Sequence, residues 1–487
     1  LKMTLLFDKK LDYLPNANDI ILDEIVKEIA HHIEQNRTTT RGVDKKTRHN
    51  EYLITSWLIN SLYLGYYSIP SSSIALSLRA KHYSKKKYGY KNIKKVVDIL
   101  KDKDFIKIKL GSEYAKKVTR ISPSNILITK FKRIGFKWRH YTYDSNTEII
   151  IFRDKIKSKK ITLPTPKSKQ ITKHRNNLNK INKELTRHCI ALDLDDKALA
   201  LIEKELIENS QKDKEYKFWK EHVHYSLNFS LVSLRRIFAN NNIKLGGRFY
   251  GGWWQSLPSK FRPHITIDGY KTSEVDFSTM SLRLLYAKEN IAVSDTRDLY
   301  DIGLKGSKPY LKRARELIKK FTNAIINDEK GHFRLSNSEL KELKLSHKEL
   351  KTKVNIHHQP ISKYFGTGIG IELMYTDSVI AEDVMLSFLK EGIIVLPIHD
   401  SFIIRTGYEL SLSAQMKLSF NKIVKTKTKV TTTGSLLPEH FYSKPKKENT
   451  GEIINGADIW DLLVDNKSSI YDGYLSSWYS FKNKHLS

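Results

Sequence analysis

Two carboxylates stand where an apolar run gives way to a turn. Asp276 lies in Val275-Asp276-Phe277-Ser278-Thr279-Met280-Ser281-Leu282-Arg283, read as a strand end followed by a helix start capped by Ser278. Asp400 lies at the polar apex His399-Asp400-Ser401, between the apolar runs Ile393 to Ile398 and Phe402 to Ile404, read as a hairpin. Two carboxylates on adjacent strands can hold divalent metal ions for in-line phosphoryl transfer. Each also has an ordinary reading: an Asp beside a capping Ser, and an Asp accepting bonds inside its own turn. Between them, in Pro309 to Asp328, Arg315, Lys319, Asn323 and Asn327 recur every four residues along one slowly rotating helical face. Two cations and two amides there suit a triphosphate and a base, although a solvated basic face gives the same pattern. Upstream, Gly246-Gly247-Arg248-Phe249-Tyr250-Gly251-Gly252 sets one arginine among glycines. Such a segment lets backbone approach a phosphate closely, or simply makes a tight turn.

The order of these segments carries a resemblance. The Asp276 segment resembles motif A of the family A DNA polymerases, an Asp-aromatic-Ser followed in register by the pair Leu282-Arg283. Arg315 and Lys319 match the arginine and the lysine four residues later of motif B. His399-Asp400 resembles motif C, and the longer string His399-Asp400-Ser401-Phe402 is closer to the single-subunit phage-type RNA polymerases. Gly247-Arg248 resembles the element that precedes motif A in both groups. Asp377-Ser378, expected to open the helix before motif C, has a loose counterpart in the phage-type enzymes. Each motif is weak alone, but four in family order over roughly 160 residues are hard to obtain by chance. The resemblance covers residues 190–445, and nothing in residues 1–190 supports it.

It implies an α+β right-hand polymerase with palm, fingers and thumb that adds nucleotides to a 3′ end under the direction of a template. The expected enzyme is a DNA polymerase or primase-polymerase of a mobile element, with a phage-type DNA-directed RNA polymerase as the alternative. By the same resemblance Asp276 and Asp400 hold two Mg2+ ions, for which Mn2+ can substitute. Arg315 and Lys319 hold the nucleoside triphosphate, with Asn323 and Ser281 beside it. Arg248 and Arg283 contact the DNA or RNA template–primer, and His399 positions the primer end or Asp400. The chain also departs from the pattern. Motif B usually has aromatic residues where Asn323 stands and a Tyr-Gly where Asn327-Asp328 stand, and the motif A glutamate of the DNA polymerases is Ser281 here. Motif C lacks their second acidic residue, as do the phage-type enzymes. Sugar selection is therefore left open.

The elements that must position these residues divide the chain. Residues 1–150 read as a helical region. Within it, Ile74 to Leu78, a basic loop Lys81 to Lys87, and an amphipathic helix with Ile93, Val96, Val97 and Leu100 come in succession. The alternating runs Phe105 to Leu110 and Lys117 to Ile121 follow, turned at Gly111-Ser112. Helix, basic helix and basic hairpin in that order resemble a winged helix-turn-helix, with Lys91, Lys94 and Lys95 facing nucleic acid; a solvated helix and hairpin is the plain alternative. Residues 151–187, basic and punctuated by Pro164-Thr165-Pro166, read as a linker. Residues 188–487 read as the polymerase core: thumb-like helices over 188–240, palm and fingers over 241–445, and a C-terminal extension over 446–487.

Composition agrees with a polyanionic partner. The 487 residues carry 85 Lys and Arg against 53 Asp and Glu, a net charge of +32, and such a field concentrates nucleic acid at the surface. A Lys-rich compositional bias gives the same number. An apolar fraction of 40% and 25 Tyr, 19 Phe and 7 Trp exclude a disordered chain. The single cysteine, Cys189, excludes an internal disulfide and cysteine-based zinc fingers. Leu53 to Ile69 is too short and polar to span a bilayer, and Leu1 to Lys10 is no signal peptide, so a cytoplasmic protein without membrane contact is expected.

Competing patterns are weaker. Asp193-Leu194-Asp195-Asp196 could be primase-like carboxylates but reads better as a helix cap. No aromatic-x-Asp-Asp follows Asp276, which argues against a reverse transcriptase, and His357-His358 reads as a surface pair. The rival from another class is a non-catalytic winged-helix replication initiator or regulator. It does not account for two acidic residues at the two motif positions of so basic a chain.

Overall fold

The computed structural model describes residues 20–35, 44–66, 74–76, 78, 89–110, 119–134, 148–156, 159–194, 196–212, 227, 229, 231–294, 296–426 and 428–433. The loop Lys81 to Lys87, the turn Gly111-Ser112, Asp195 and the extension 446–487 lie outside them. The fold is mixed helix and sheet, compatible with the α+β class. Among the described residues no helix is long and apolar enough to cross a membrane.

The N-terminal region is built from α1 (Ile20–Gln35), α2 (Lys45–Tyr66), β1 (Ile74–Ala75), α3 (Tyr90–Asp102), β2 (Ile106–Lys109), β3 (Arg120–Pro123) and α4 (Asn125–Ile134). The strands form an antiparallel sheet in the order β1-β3-β2. On α1, Leu22, Ile25, Val26, Ile29 and Ile33 recur at helical spacing and are buried, as are Ile93, Val96, Val97 and Leu100 on α3. The opposite face of α3 carries its lysines, but they are not all free. Lys94 pairs with Asp98 at 2.5 Å, and Lys95 pairs at 2.9 Å with Glu51 of α2, whose side chain is only 3% exposed.

Residues 151–187 are not a linker. They hold most of β4 (Ile150–Ile156), then β5 (Lys159–Leu163) and α5 (Lys169–Leu185), with the Pro-Thr-Pro segment confined to the strand–helix connection. Ser168 caps α5 by accepting from the Ile171 amide. Ile171, His174, Leu178, Ile181 and Leu185 form the buried face of α5, a periodicity masked in the sequence by the lysines and asparagines between them. The strands join β7 (Arg235–Ala239) and β8 (Asn242–Tyr250) in a sheet of order β5-β4-β7-β8, with β4 parallel to β7.

Residues 188–240 are likewise not a run of thumb-like helices. They contain β6 (Ile190–Leu192), α6 (Asp196–Lys212) and the strand β7; Ile237 lies in that strand, where the spacing of Leu231, Leu234 and Ile237 suggests a helix. The second large sheet unites β6, β9 (Ile265–Ile267), β10 (Tyr270–Phe277), β11 (Leu396–Ile398) and β12 (Ser401–Arg405) in the order β11-β12-β10-β9-β6, and β13 (Val430–Thr433) also pairs with β10. Around it lie α7 (Met280–Lys288), α8 (Lys308–Asn327), α9 (Asn337–Leu343), α10 (His347–His357), α11 (Gly370–Leu389) and α12 (Glu409–Val424). β10 is the central strand on which the site is built.

Candidate active site

Strand alternation sets the site. Along β10, Val275 and Phe277 point into the core, at 0% and 2% exposure, so Glu274 and Asp276 face the other way together. β12 runs antiparallel beside it, with Asp276 opposite Ser401 and Glu274 opposite Ile403. The strands β11 and β12 are joined by the two-residue turn His399-Asp400, in which His399 takes φ 53°. The Phe277 amide donates to the Asp400 carbonyl at 3.1 Å, tying the turn to the residue after Asp276. Ser278 does not cap the next helix: α7 is entered through Thr279 in the left-handed region, φ 57°, with no side-chain cap, and the Ser278 amide bonds to the Lys429 carbonyl. Asp276 therefore lies in β10 and Asp400 in the turn that leads into the neighbouring β12, and the cap expected between Asp276 and α7 is absent.

Neighbouring carboxylates perturb Asp276. Burial, then the charges of Asp400 and Glu274, push Asp276 up to about 7, although the cation of Lys319 acts in the opposite direction. Asp276 Oδ1 is buried and has no hydrogen-bond partner among the described residues. Glu274 is satisfied by Arg262 at 3.0 Å and by the Ser401 hydroxyl. Asp377 is wholly enclosed on α11, well inside that helix rather than at its opening; burial and Asp400 raise its pKa to about 6 against the pull of Arg248.

Arg248 reaches Asp377 from β8, Nε to Oδ2 2.6 Å. Burial lowers its pKa, but the adjoining carboxylates of Asp377 and, more weakly, Asp400 outweigh this and raise it. His399 is an exposed residue, yet desolvation by the surrounding protein, with Arg248 and Arg262, lowers its imidazole pKa; its ring packs edge-on with that of Tyr250. The basic helix α8 presents Arg315, Lys319 and Asn323 as its spacing predicts. Arg315 is held by Asp298, Tyr300 donates to Asn323 Oδ1 at 3.2 Å, and Lys319 is exposed with no ion pair among the described residues.

The structure thus brings together Asp276, Asp400, His399 and Arg248, with Lys319 near enough for its charge to act on Asp276. Ser281 is half-buried in the first turn of α7. Arg283 is not a nucleic-acid contact: it is 2% exposed and donates to the carbonyls of Val293 and Ser294, so its role is to fasten the segment after α7. Lys91, Lys94 and Lys95 belong to the N-terminal region described above. His358 is no surface residue either; it is fully buried against Tyr286, and burial drives its pKa down to about 3. Sequence reasoning missed Glu274, Asp298 and Tyr300. For Glu274 the signal was present, since a residue two before Asp276 in a strand shares its face.

Among the described residues no group of three or more His, Cys, Asp or Glu is arranged to hold a metal ion. Two carboxylates nonetheless fit Mg2+, which keeps several waters and takes the rest of its shell from substrate oxygens. The unpaired Asp276 Oδ1 and the raised pKa of Asp276 are the features such a cation would relieve.

No family model and no curated protein sequence matches the chain. Among solved structures, the POL domain of Pol1 from M. smegmatis, in complex with DNA primer-template and dNTP, is similar at 9% identity with a TM-score of 0.29. The match covers 48% of this chain and 51% of that one, so the chain spans about half of that domain.

Proposed function

We propose that this chain is a template-directed nucleic-acid polymerase whose active carboxylates are Asp276 and Asp400. The observation that carries the reading is the placement of Asp276 on β10 next to the turn that holds Asp400, with a buried Asp276 oxygen and the nearby Lys319 both unpaired among the described residues. Asp276 and Asp400 would hold Mg2+ or Mn2+. When bound, such ions activate the attacking 3′ hydroxyl and neutralise charge on the leaving pyrophosphate. Lys319 supplies a point charge for the triphosphate, and Arg315 a planar fork once it exchanges Asp298 for a phosphate. Arg248, neutralised by Asp377, is suited to hydrogen bonding with a primer–template rather than to adding net charge. Extension of a labelled primer on DNA and RNA templates, with and without Mg2+, tests this; no extension with either nucleotide class overturns it.

We also infer that the module of residues 74–121 contacts duplex nucleic acid. Its support is the strand order β1-β3-β2 behind a helix whose outer face carries Lys91 and Lys94, the arrangement a winged helix needs. A non-catalytic initiator shares this feature but leaves the Asp276–Asp400 pair without a purpose.

A further inference from the structure

Arg236 of β7 is a fully buried arginine at 0% exposure, and every arm of its guanidinium is engaged. Nε donates to the Gly247 carbonyl at 2.8 Å and Nη2 to the Ser378 hydroxyl at 2.8 Å; Nη1 lies 3.0 Å from Glu382 Oε2 and 2.6 Å from His174 Nδ1. Gly247 is the extra residue of a β-bulge, since Ile237 pairs with Arg248 and Phe238 with Gly246. A bulge leaves its residue outside the ladder and re-aims the side chain beside it. The displaced carbonyl needs a donor, and Arg236 is that donor. Gly247 takes φ +80°, and a Cβ there would stand 2.6 Å from the Phe238 ring and 3.1 Å from Ser378 Oγ, so β8 meets α11 this closely only as glycine.

The two groups that Arg236 grips are the sequence neighbours of the Arg248–Asp377 pair. Gly247 immediately precedes Arg248, and Ser378 immediately follows Asp377. We propose that Arg236 is a positioning residue: it fixes the bulge of β8 against α11, so that Arg248 meets Asp377 and stands beside Asp400. Its countercharge Glu382 is itself held by His174 and Asn177 of α5, which anchors the clamp to a third element. A buried ionic network of this kind is a weak source of stability, and fixing one geometry is the use it serves here. The consequence for nucleotide addition rests on reading Asp276 and Asp400 as the active carboxylates.

The test uses the full chain with Arg236→Lys, which keeps the charge and loses the fork, and the milder Ser378→Ala, which removes one anchor. Hydrogen exchange without nucleic acid should speed up at residues 246–249 and 376–379 in both variants while the remaining sheet is unchanged. Unchanged exchange at those segments overturns the proposal. In primer extension, Arg236→Lys should lose about tenfold or more in kcat/KM, and adding Arg248→Ala to it should cost less than about twofold further, because both act through one contact. Losses that multiply would show that Arg236 does not act through Arg248. If the wild-type chain adds no nucleotide, the reading of the carboxylates falls, while exchange still decides what Arg236 positions.

Discussion

Arg315 lies fork-on to Asp298, Nε to Oδ2 at 2.5 Å and Nη2 to Oδ1 at 3.1 Å, whereas Lys319, one turn further along α8, is unpaired among the described residues. The ion pair keeps the Asp298 carboxylate below its ordinary range: burial raises it, and Arg315 with the Tyr300 amide overcomes that. A triphosphate must therefore compete for Arg315 but not for Lys319. Lys319→Ala should raise the KM for nucleotide roughly ten- to hundredfold, the cost of about 1.5–3 kcal/mol for a charged hydrogen bond. Arg315→Ala should cost less, and Asp298→Asn should lower KM. Equal losses in the Lys319 and Arg315 variants, with no gain from Asp298→Asn, would make Asp298 an orienting partner instead of a competitor.

The paired carboxylates give the most direct prediction. Asp276→Asn or Asp400→Asn should abolish nucleotide addition while primer–template affinity, measured by anisotropy, changes little. Removing a charge from this crowded acidic site relieves repulsion, so both variants should melt no lower than wild type without metal. Near-normal synthesis by either variant would remove that residue from the catalytic pair.

A pH dependence follows from the elevated Asp276. Its folded pKa of about 7 stands above the roughly 3.9 of an unfolded carboxyl, so the folded chain binds the extra proton between those values. The stability this contributes is complete below about pH 4 and is lost as pH rises through about 7, with a slope of up to about 1.4 kcal/mol per unit. With metal chelated, melting temperature should fall from about pH 5 to about pH 8, and Asp276→Asn should flatten that fall. Adding Mg2+ at the upper pH should restore stability to wild type and not to the variant.

The arrangement of Asp276 and Asp400 was legible because strand burial leaves a pattern of period two and a two-residue apex leaves a polar break between apolar runs. What was not legible depends on tertiary partners. Arg283 follows Leu282 just as an exposed motif arginine would, and only the carbonyls of Val293 and Ser294 make it internal. Residues 151–187 read as a linker because lysine-rich exposed faces hide the apolar face of α5. Asp298 and Tyr300 come from an irregular segment, where no periodicity exists to read. Arg236 belongs to no motif in the sequence, and its burial depends on Glu382 from 146 residues away.

The N-terminal lysines separate into two kinds. Lys91 is exposed, and Lys94 has only an exposed partner, so Lys91→Ala with Lys94→Ala should weaken duplex binding and lower the salt slope by up to about two, near 0.9 per phosphate contact. Lys95 compensates the buried Glu51. Lys95→Ala should instead cost about 1–2 kcal/mol of stability, less than for a fully buried pair because the lysine is partly exposed, and leave the slope alone. A slope that depends on Lys95 and not on the other two would place the contact on a different face of α3.

The last prediction concerns the sugar. Ser281, half-buried in the first turn of α7, holds the place where the resemblance to family A DNA polymerases expects a glutamate whose bulk excludes a 2′-hydroxyl. Serine is several atoms shorter, which opens the space beside an incoming ribose. The side chains best placed by sequence to refill it are already occupied: Asn323 Oδ1 accepts from Tyr300, and Asn327 donates to the Asn323 carbonyl at 2.8 Å. Ribonucleotides should therefore be incorporated at rates comparable to deoxyribonucleotides. A fully excluded hydroxyl costs a few kcal/mol, about two to three orders of magnitude in incorporation. Ser281→Glu should move the ratio towards deoxyribonucleotides by a measurable part of that range. Matched ribo- and deoxyribonucleotide kcat/KM values on one template decide it: a wild-type preference for deoxyribonucleotides above about a thousandfold would require another side chain, with Tyr300 the first to truncate, to close the pocket that Ser281 leaves open.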